Sequence, residues 1–221
     1  NMQDRGFVYG QQKMVAQFNC MGDWAFYLEG DEVLHESEVS NIRETMQKNL
    51  EDPEVEALYF DFFHFYGTPN QVGIAGYRRA PRIIRNTIRS IAPDGLFWTV
   101  MDKNKKGRYP KAKHAGGNIY HYGHCRSVSK MAEKLKQVGR YWGSKHEDFK
   151  GYGSIDVREL RPFKGSHPAV MENWLAQEAE TEFCQDADYR VTRRDRRNRI
   201  RFWIEDTFGV EISKKHYQPL D

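Results

Sequence analysis

Acidic side chains that suit a hard metal ion follow an apolar run near the start of the chain. Residues 24–28 read Trp-Ala-Phe-Tyr-Leu, and Glu29, Asp31 and Glu32 come directly after them. Carboxylate oxygens are the ligands that magnesium and manganese prefer, and such ions keep positions open for substrate phosphates. The alternative is an ordinary acidic loop whose charges stabilise the N-terminus of the next helix. The residues alone leave both interpretations open.

Hydrophobic periodicity predicts the elements that must position these acids. Strands are predicted over 24–28, buried on both faces, and over 55–67, 77–86 (in short pieces) and 118–124. Helices are predicted over 10–20, 37–50, 127–141, 167–180 and 190–209, with loops over 68–76 and 102–118. Ligands of open α/β sheets bind beyond the carboxyl ends of strands, so the acids after residue 28 should face a crevice. The simplest division is an α/β body over 1–150 and a helical C-terminal extension over 151–221.

Composition excludes several classes of protein. The 221 residues include 14% aromatic and 29% charged side chains, with a mean hydropathy of -0.82. This balance is too aromatic for a disordered chain, and no apolar run is long enough to span a bilayer. The cysteines, Cys20, Cys125 and Cys184, are far apart, which argues against a disulfide framework or a thiolate zinc site and favours the cytoplasm. The net charge of +3 means that any basic surface is local.

Several motifs, taken in order, resemble a known family. The strings GDWAFYLEGDEVLHE, LYFDFFHFYG, RRAPRIIRN and NIYHYGH follow one another along the chain. Together they resemble the later part of the bacterial family 2 glycosyltransferases, from about Gly10 to the HPAVM segment at 167–171. The resemblance implies an α/β, GT-A-like mixed sheet flanked by helices, and sugar transfer from a nucleotide-sugar donor to an acceptor hydroxyl with inversion.

The resemblance also implies that the domain is N-terminally incomplete. In that family an N-terminal half supplies the contacts to the nucleotide, and no counterpart of it precedes residue 10. We therefore expect a further segment or a partner chain to pair with the strand at 24–28, and we expect the chain by itself to show no sugar transfer. A glycan, a lipid-linked molecule or a protein could each serve as acceptor.

The metal ligands implied by the resemblance are Glu29, Asp31 and His121. The family's D-x-D motif falls on Glu29, Gly30 and Asp31, where it would hold Mn²⁺ or Mg²⁺ against the donor diphosphate. Because the first position is Glu, Asp31 is the better candidate. His121, in the IYHYGH string, falls where the family often has another metal or phosphate contact, and a neutral imidazole is a suitable ligand for manganese. The alternative for each histidine of that string is a hydrogen bond within the fold.

The other candidate site residues come from the middle of the chain. Asp61, Glu32 and Asp31 are candidates for the base that accepts the proton of the acceptor hydroxyl. His64 and Tyr66 are candidates for the acceptor pocket, and Arg82 and Arg85, with Arg78 and Arg79 nearby, for binding the diphosphate. The alternatives are internal hydrogen bonds for the strand residues and surface ion pairs for the arginines.

A cluster of arginines near the end of the chain is compatible with functions other than sugar transfer. Seven arginines lie between Arg190 and Arg201, interrupted by Asp195. We interpret them as the solvated face of a packed helix, with peripheral contact to an anionic membrane or binding of nucleic acid as alternatives. Two further functions therefore stay open: a noncatalytic glycan- or protein-binding module that uses the aromatic strand at 59–66, and a nucleic-acid-binding protein.

Overall fold

The computed structural model describes residues 6–142, 149–179 and 182–220. Within these ranges the helices are α1 (Phe7–Phe18), α2 (Val39–Lys48), α3 (Val128–Trp142), α4 (Glu172–Glu178) and α5 (Arg193–Phe208). The strands are β1 (Trp24–Phe26), β2 (Glu32–Val33), β3 (Ala57–Tyr66), β4 (Thr68–Gly73), β5 (Arg79–Arg85), β6 (Ser90–Ile91), β7 (Thr99–Met101), β8 (Gly107–Arg108), β9 (Lys111–His124), β10 (Leu160–Pro162) and β11 (Gln218–Pro219).

Strand β3 lies at the centre of a mixed, curled sheet. One of its edges pairs with the parallel strand β9, and its other edge pairs with the antiparallel strands β5 and β4. The outer edges of β5 and β4 pair with β1 and β10, while β2 and β11 pair with β9. Strands β6, β7 and β8 form a separate small sheet. The predicted α/β class is therefore confirmed.

Strand β3 is apolar on both faces because packing covers both faces. Leu58 and Phe60 join a core cluster with Ile42 of α2, and Ala57 joins another cluster with Trp98. Helix α2 approaches β9 closely at Gly117, where an added Cβ atom would lie 2.7 Å from the Ile42 side chain. The glycine thus lets the helix rest directly on the strand, since Cβ atoms do not tolerate such a contact.

Two segments that the sequence predicts as loops contain strands. The segment 68–76 contains β4, which follows β3 through a tight turn at Gly67, where φ is +71°. The segment 102–118 contains β8 and the first half of β9. Both predictions were wrong because glycine and polar residues have a weak strand propensity that pairing with neighbouring strands overrides.

The strand predicted over 24–28 exists, but it is not buried on both faces. It is shorter than predicted and pairs with β5, and Phe26 is 36% exposed. In the described part of the chain its other edge has no strand partner. The prediction of a strand buried on both faces was therefore wrong. A run of apolar residues can occur in a strand at the edge of a sheet as well as in a central strand, so the run alone does not tell the two apart.

The residues after 151 contain strands as well as helices. Strand β10 pairs with β4 and β11 pairs with β9, so this region adds to the main sheet. The helix predicted over 167–180 is a short 3₁₀ turn followed by α4, and Glu180 lies outside the described residues. No helix among the described residues is both long and apolar enough to cross a bilayer.

Candidate functional site

Strand pairing brings Asp31, His121 and His64 into one row across the sheet. His121 of β9 lies opposite Glu32 of β2 on one side and opposite His64 of β3 on the other. Asp31 precedes β2, and its carbonyl oxygen accepts a hydrogen bond from the amide of Tyr122 at 2.8 Å. The register of three strands therefore builds the row, although its members are far apart in the sequence.

The hydrogen bonds of His64 determine where the protons of both histidines lie. The Nε2 atom of His64 is 2.8 Å from the carbonyl oxygen of Tyr77, which can only accept, so Nε2 carries the proton. The Nδ1 atom of His64 is then an acceptor, and it lies 2.9 Å from the Nδ1 atom of His121. His121 must donate from Nδ1, which leaves its Nε2 atom with a free lone pair.

Both rings are neutral near pH 7. Burial and, to a smaller extent, the neighbouring His121 lower the pKa of His64 to about 3. Burial also lowers the pKa of His121 to about 4, although the charge of Asp31 opposes this effect. A neutral imidazole whose second nitrogen is fixed by a hydrogen bond is the usual form of a metal-binding histidine.

The free nitrogen of His121 faces a carboxylate oxygen. Its Nε2 atom is 3.6 Å from the Oδ1 atom of Asp31, and the two side chains are 14% and 19% exposed. The other carboxylate oxygen, Oδ2, accepts from the ammonium group of Lys134 at 2.7 Å. Burial would raise the pKa of Asp31, but His121 and Lys134 lower it below its usual value, so the group is a carboxylate at neutral pH.

Space for this arrangement depends on Gly123. An added Cβ atom at Gly123 would lie 2.5 Å from Nε2 of His121 and 3.1 Å from Oδ2 of Asp31. The carbonyl oxygen of Gly123 also accepts from Lys134 at 2.9 Å. The glycine therefore leaves room for the imidazole and anchors the lysine of α3 at the same place.

The donor set at Asp31 and His121 fits a magnesium or manganese ion. Ligand atoms lie about 2.1 Å from such ions, so two ligands of one ion are about 3.0–3.5 Å apart, close to the 3.6 Å between Nε2 and Oδ1. In the described ranges no three His, Cys, Asp or Glu side chains form a ready metal-binding group. Magnesium often takes only one or two carboxylates and leaves its other positions to water and phosphate. Asp31 supplies one carboxylate of this kind, with the imidazole nitrogen of His121 beside it.

Glu29 and Glu32, which flank Asp31, have different surroundings. The side chain of Glu32 is fully buried and accepts two hydrogen bonds from Arg82, at 2.8 and 2.5 Å. Glu29 is 35% exposed, and its Oε1 atom is 3.7 Å from Arg82. Burial and the charge of Glu32 raise the pKa of Glu29 to about 7. Glu32 is thus held within the fold by Arg82, whereas Glu29 is a partly exposed carboxyl group with a raised pKa.

The arginines expected to bind diphosphate make structural contacts. Arg82 has no exposed surface, and its guanidinium group neutralises Glu32. Arg85 donates to the carbonyl oxygens of Asn49, Leu50, Asp52 and Val55. Arg78 pairs with Glu205 of α5, and Arg79 with Asp61. Their hydrogen bonds therefore hold elements of the fold together and do not point a guanidinium group at Asp31.

Asp61 lies apart from the row. It accepts from Arg79 at 2.6 Å and from His114 at 3.0 Å. Burial would raise the pKa of Asp61, but these hydrogen bonds lower it below its usual value, which is unfavourable for a base. Asp61 precedes His64 by three residues on β3, a distance of about 10 Å along a strand. Neither Asp61 nor the buried Glu32 is therefore placed to accept the proton of an acceptor hydroxyl bound next to Asp31.

The two acceptor-pocket candidates have different surroundings. Both ring nitrogens of His64 are used within the fold, so this side chain acts on His121 and not on an acceptor. Tyr66 lies opposite His124 at the ends of β3 and β9, and the two rings stack with centroids 6.0 Å apart. Tyr66 and His124 therefore form a ring pair next to the row of Asp31 and His121.

Sequence reasoning missed the parts played by Lys134, Gly123 and the carbonyl of Tyr77. Lys134 lies on an amphipathic helix with other lysines, and nothing distinguishes it from them in the sequence. Gly123 carried a signal, since a glycine between two histidines of a strand indicates a close approach.

Comparisons with known proteins do not test the resemblance to family 2 glycosyltransferases. A scan against protein-family models found no match, and searches of curated proteins and of solved structures found none either.

Proposed function

We propose that this chain is a metal-dependent glycosyltransferase domain that moves a sugar from a nucleotide-sugar donor to an acceptor hydroxyl, with inversion. The observation that supports it most is the unprotonated Nε2 atom of His121, which faces Oδ1 of Asp31 at 3.6 Å. The motifs that resemble family 2 glycosyltransferases fall on these residues. A GT-A-like arrangement of the mixed sheet belongs to the same proposal.

In this proposal Asp31 and His121 hold a Mn²⁺ or Mg²⁺ ion. When bound, such an ion supplies positive charge that neutralises the departing diphosphate. His64 fixes the tautomer of His121, and Lys134 orients the carboxylate of Asp31 through Oδ2. Glu29, the other acid of the motif, lies 3.7 Å from Arg82 and would have to lose its proton and turn towards Asp31 to join the ion.

The remaining candidates take other roles. Tyr66, with His124, forms one wall for an acceptor, because these rings lie at the strand ends beside Asp31. Arg82 and Arg85 stabilise the fold around the acids. Asp61 stabilises the pairing of β3 with β5 through Arg79.

Calorimetry tests the metal site. Mn²⁺ should bind more tightly when a nucleoside diphosphate is present, and the diphosphate more tightly with Mn²⁺, because the two share contacts and their coupling is reciprocal. Asp31→Asn should abolish the coupling. Glu44→Gln, which removes an exposed acid of α2, is the matched control and should keep it. Equal heats from the wild-type chain and Asp31→Asn would reject the site.

Turnover tests the activity. The chain should be incubated with Mn²⁺ and a panel of radiolabelled nucleotide sugars, with and without a lysate that supplies acceptors. Transfer or donor hydrolysis that disappears with chelator and with Asp31→Asn would support the enzyme, and would overturn the expectation that the chain by itself shows no sugar transfer. Coupled binding of Mn²⁺ and diphosphate without turnover, even when longer versions of the protein are used, would instead favour a noncatalytic module.

A further inference from the structure

Helix α5 presents large apolar side chains to solvent. Ile200, Trp203 and Phe208 are 62%, 63% and 65% exposed, and the rings of Trp203 and Phe208 contact each other with centroids 6.4 Å apart. Arg193, Arg196 and Arg197 are exposed as well. Because helix residues three or four apart share a face, these six form one surface, which we name the Arg–Trp face.

The opposite face of α5 packs against the protein through polar groups. Asp195 caps the helix together with Thr192 and accepts from the hydroxyl group of Tyr189 at 2.5 Å. Asn198 donates to Glu159 at 2.5 Å, and Glu205 is paired with Arg78. An ordinary surface helix buries its apolar residues, whereas α5 buries these polar groups together with Phe202 and leaves Ile200, Trp203 and Phe208 exposed.

The charges of the Arg–Trp face are also unfavourable for an isolated fold. The acids of α5 are used elsewhere, since Asp195 and Glu205 are buried and Asp206 lies 3.3 Å from Arg161. Cations in the first turns of a helix are opposed by the positive end of its dipole. The arginines at the start of the helix therefore lower its stability, and the exposed rings contribute little to it, so that an anionic, partly apolar surface would neutralise the former and bury the latter.

We infer that the Arg–Trp face docks on the surface of an anionic lipid bilayer. Guanidinium groups bind lipid phosphates, and tryptophan with aliphatic side chains enters the boundary between headgroups and acyl chains. The helix has 16 residues, so about 24 Å of it can lie in the plane of the membrane. The positive charge of the exposed arginines is complementary to the negative charge of the lipid phosphates, which favours an anionic bilayer as the partner.

Other occupants fit less well. A nucleic acid would neutralise the arginines but would gain little from Ile200, because recognition of single strands uses stacking rings and cations. A second copy of the chain, related by a two-fold axis, would offer the arginines no free carboxylate from its own Arg–Trp face, because the acids of α5 are buried or paired elsewhere.

Vesicle sedimentation tests the inference on the whole chain. Phosphatidylcholine vesicles that contain phosphatidylserine should bind the protein, added salt should weaken the binding, and pure phosphatidylcholine should bind it poorly. The double variants Ile200→Ser/Trp203→Ser and Arg196→Gln/Arg197→Gln should each weaken binding by about tenfold. Phe18→Ser removes a ring that is 79% exposed on α1, and Arg43→Gln removes an exposed arginine of α2; both controls should bind as the wild type does.

Several results would overturn the inference. The hypothesis that the Arg–Trp face docks on a bilayer would be rejected if the protein did not bind the anionic vesicles, or if the wild type and both double variants bound them equally. Binding to oligonucleotides that is tighter than vesicle binding and depends on Arg196 and Arg197 alone would assign the face to nucleic acid. A dimer in sedimentation equilibrium that Ile200→Ser/Trp203→Ser dissociates would assign it to a second copy. Thermal unfolding and Mn²⁺ titration of every variant check that the fold and the Asp31 site are intact.

Discussion

The Nδ1 atoms of His64 and His121 lie 2.9 Å apart, although the residues are 57 positions apart in the sequence. One proton lies between these atoms, and its position is fixed by the carbonyl oxygen of Tyr77 at the far side of His64. His64 thus controls which nitrogen of His121 is free.

This relationship predicts that His64 acts on metal affinity without touching the metal. His64→Phe keeps a ring of similar size but removes the acceptor, so His121 can adopt either tautomer. We expect Mn²⁺ affinity to fall by about tenfold, the lower end of the range for groups that orient a metal ligand. Calorimetry measures the affinity, and nitrogen NMR shifts of His121 report the tautomer. An unchanged affinity with an unchanged tautomer would show that the pair is only structural.

Proton release on metal binding should reveal whether Glu29 joins the ion. With a pKa of about 7, Glu29 is roughly half protonated at pH 7, so its binding should release about half a proton. His121, with a pKa of about 4, should release none. Calorimetry in buffers of different ionisation enthalpy measures the number. Glu29→Gln should remove the release, and release that persists in this variant would place its origin elsewhere.

Acidification should destabilise the fold through the two histidines. Their pKa values of about 3 and about 4 lie below the ordinary 6.5, so the unfolded chain takes up protons that the folded chain does not. The free energy of unfolding should therefore fall as the pH falls from 6.5 to 4. Glu29 opposes this trend between pH 7 and 4.5, because its raised pKa makes the folded chain bind the extra proton.

Urea unfolding at several pH values tests this dependence. His64→Gln, which keeps a donor for Tyr77 but does not titrate, should lose less stability on acidification than the wild type does. Identical slopes for both chains would contradict the predicted contribution of His64.

Arg82 should matter for folding and not for ligand binding. Arg82→Met leaves the fully buried Glu32 without its partner, which should lower the free energy of unfolding by about 3–5 kcal/mol. The double variant Arg82→Met/Glu32→Gln should recover part of that loss, because no charge is then left unpaired. Arg43→Met is the exposed control. Unchanged stability with weakened nucleoside-diphosphate binding would restore the role that the sequence suggested for Arg82.

The sequence indicated candidate residues but not the contacts between them. An apolar run followed by acids, and a strand that ends in histidines, pointed to Asp31 and His121, and the structure brings Nε2 of His121 to 3.6 Å from Oδ1 of Asp31. The role of His64 depends on the parallel register of β3 and β9, which no local pattern encodes. The same holds for Arg82, since its residue type suits a phosphate as well as it suits Glu32, and only tertiary structure decides between them.

The parallel pairing of β3 with β9 also has a kinetic consequence. His64 meets His121 only after the intervening chain, with β4 to β8, has been brought back to the centre of the sheet. Contacts between distant segments form slowly because the entropy of closing the loop is lost before the contacts compensate for it. We therefore expect the ability to bind Mn²⁺ to appear late in refolding, after most helical signal has returned, and stopped-flow refolding with a metal-sensitive dye would time the two events.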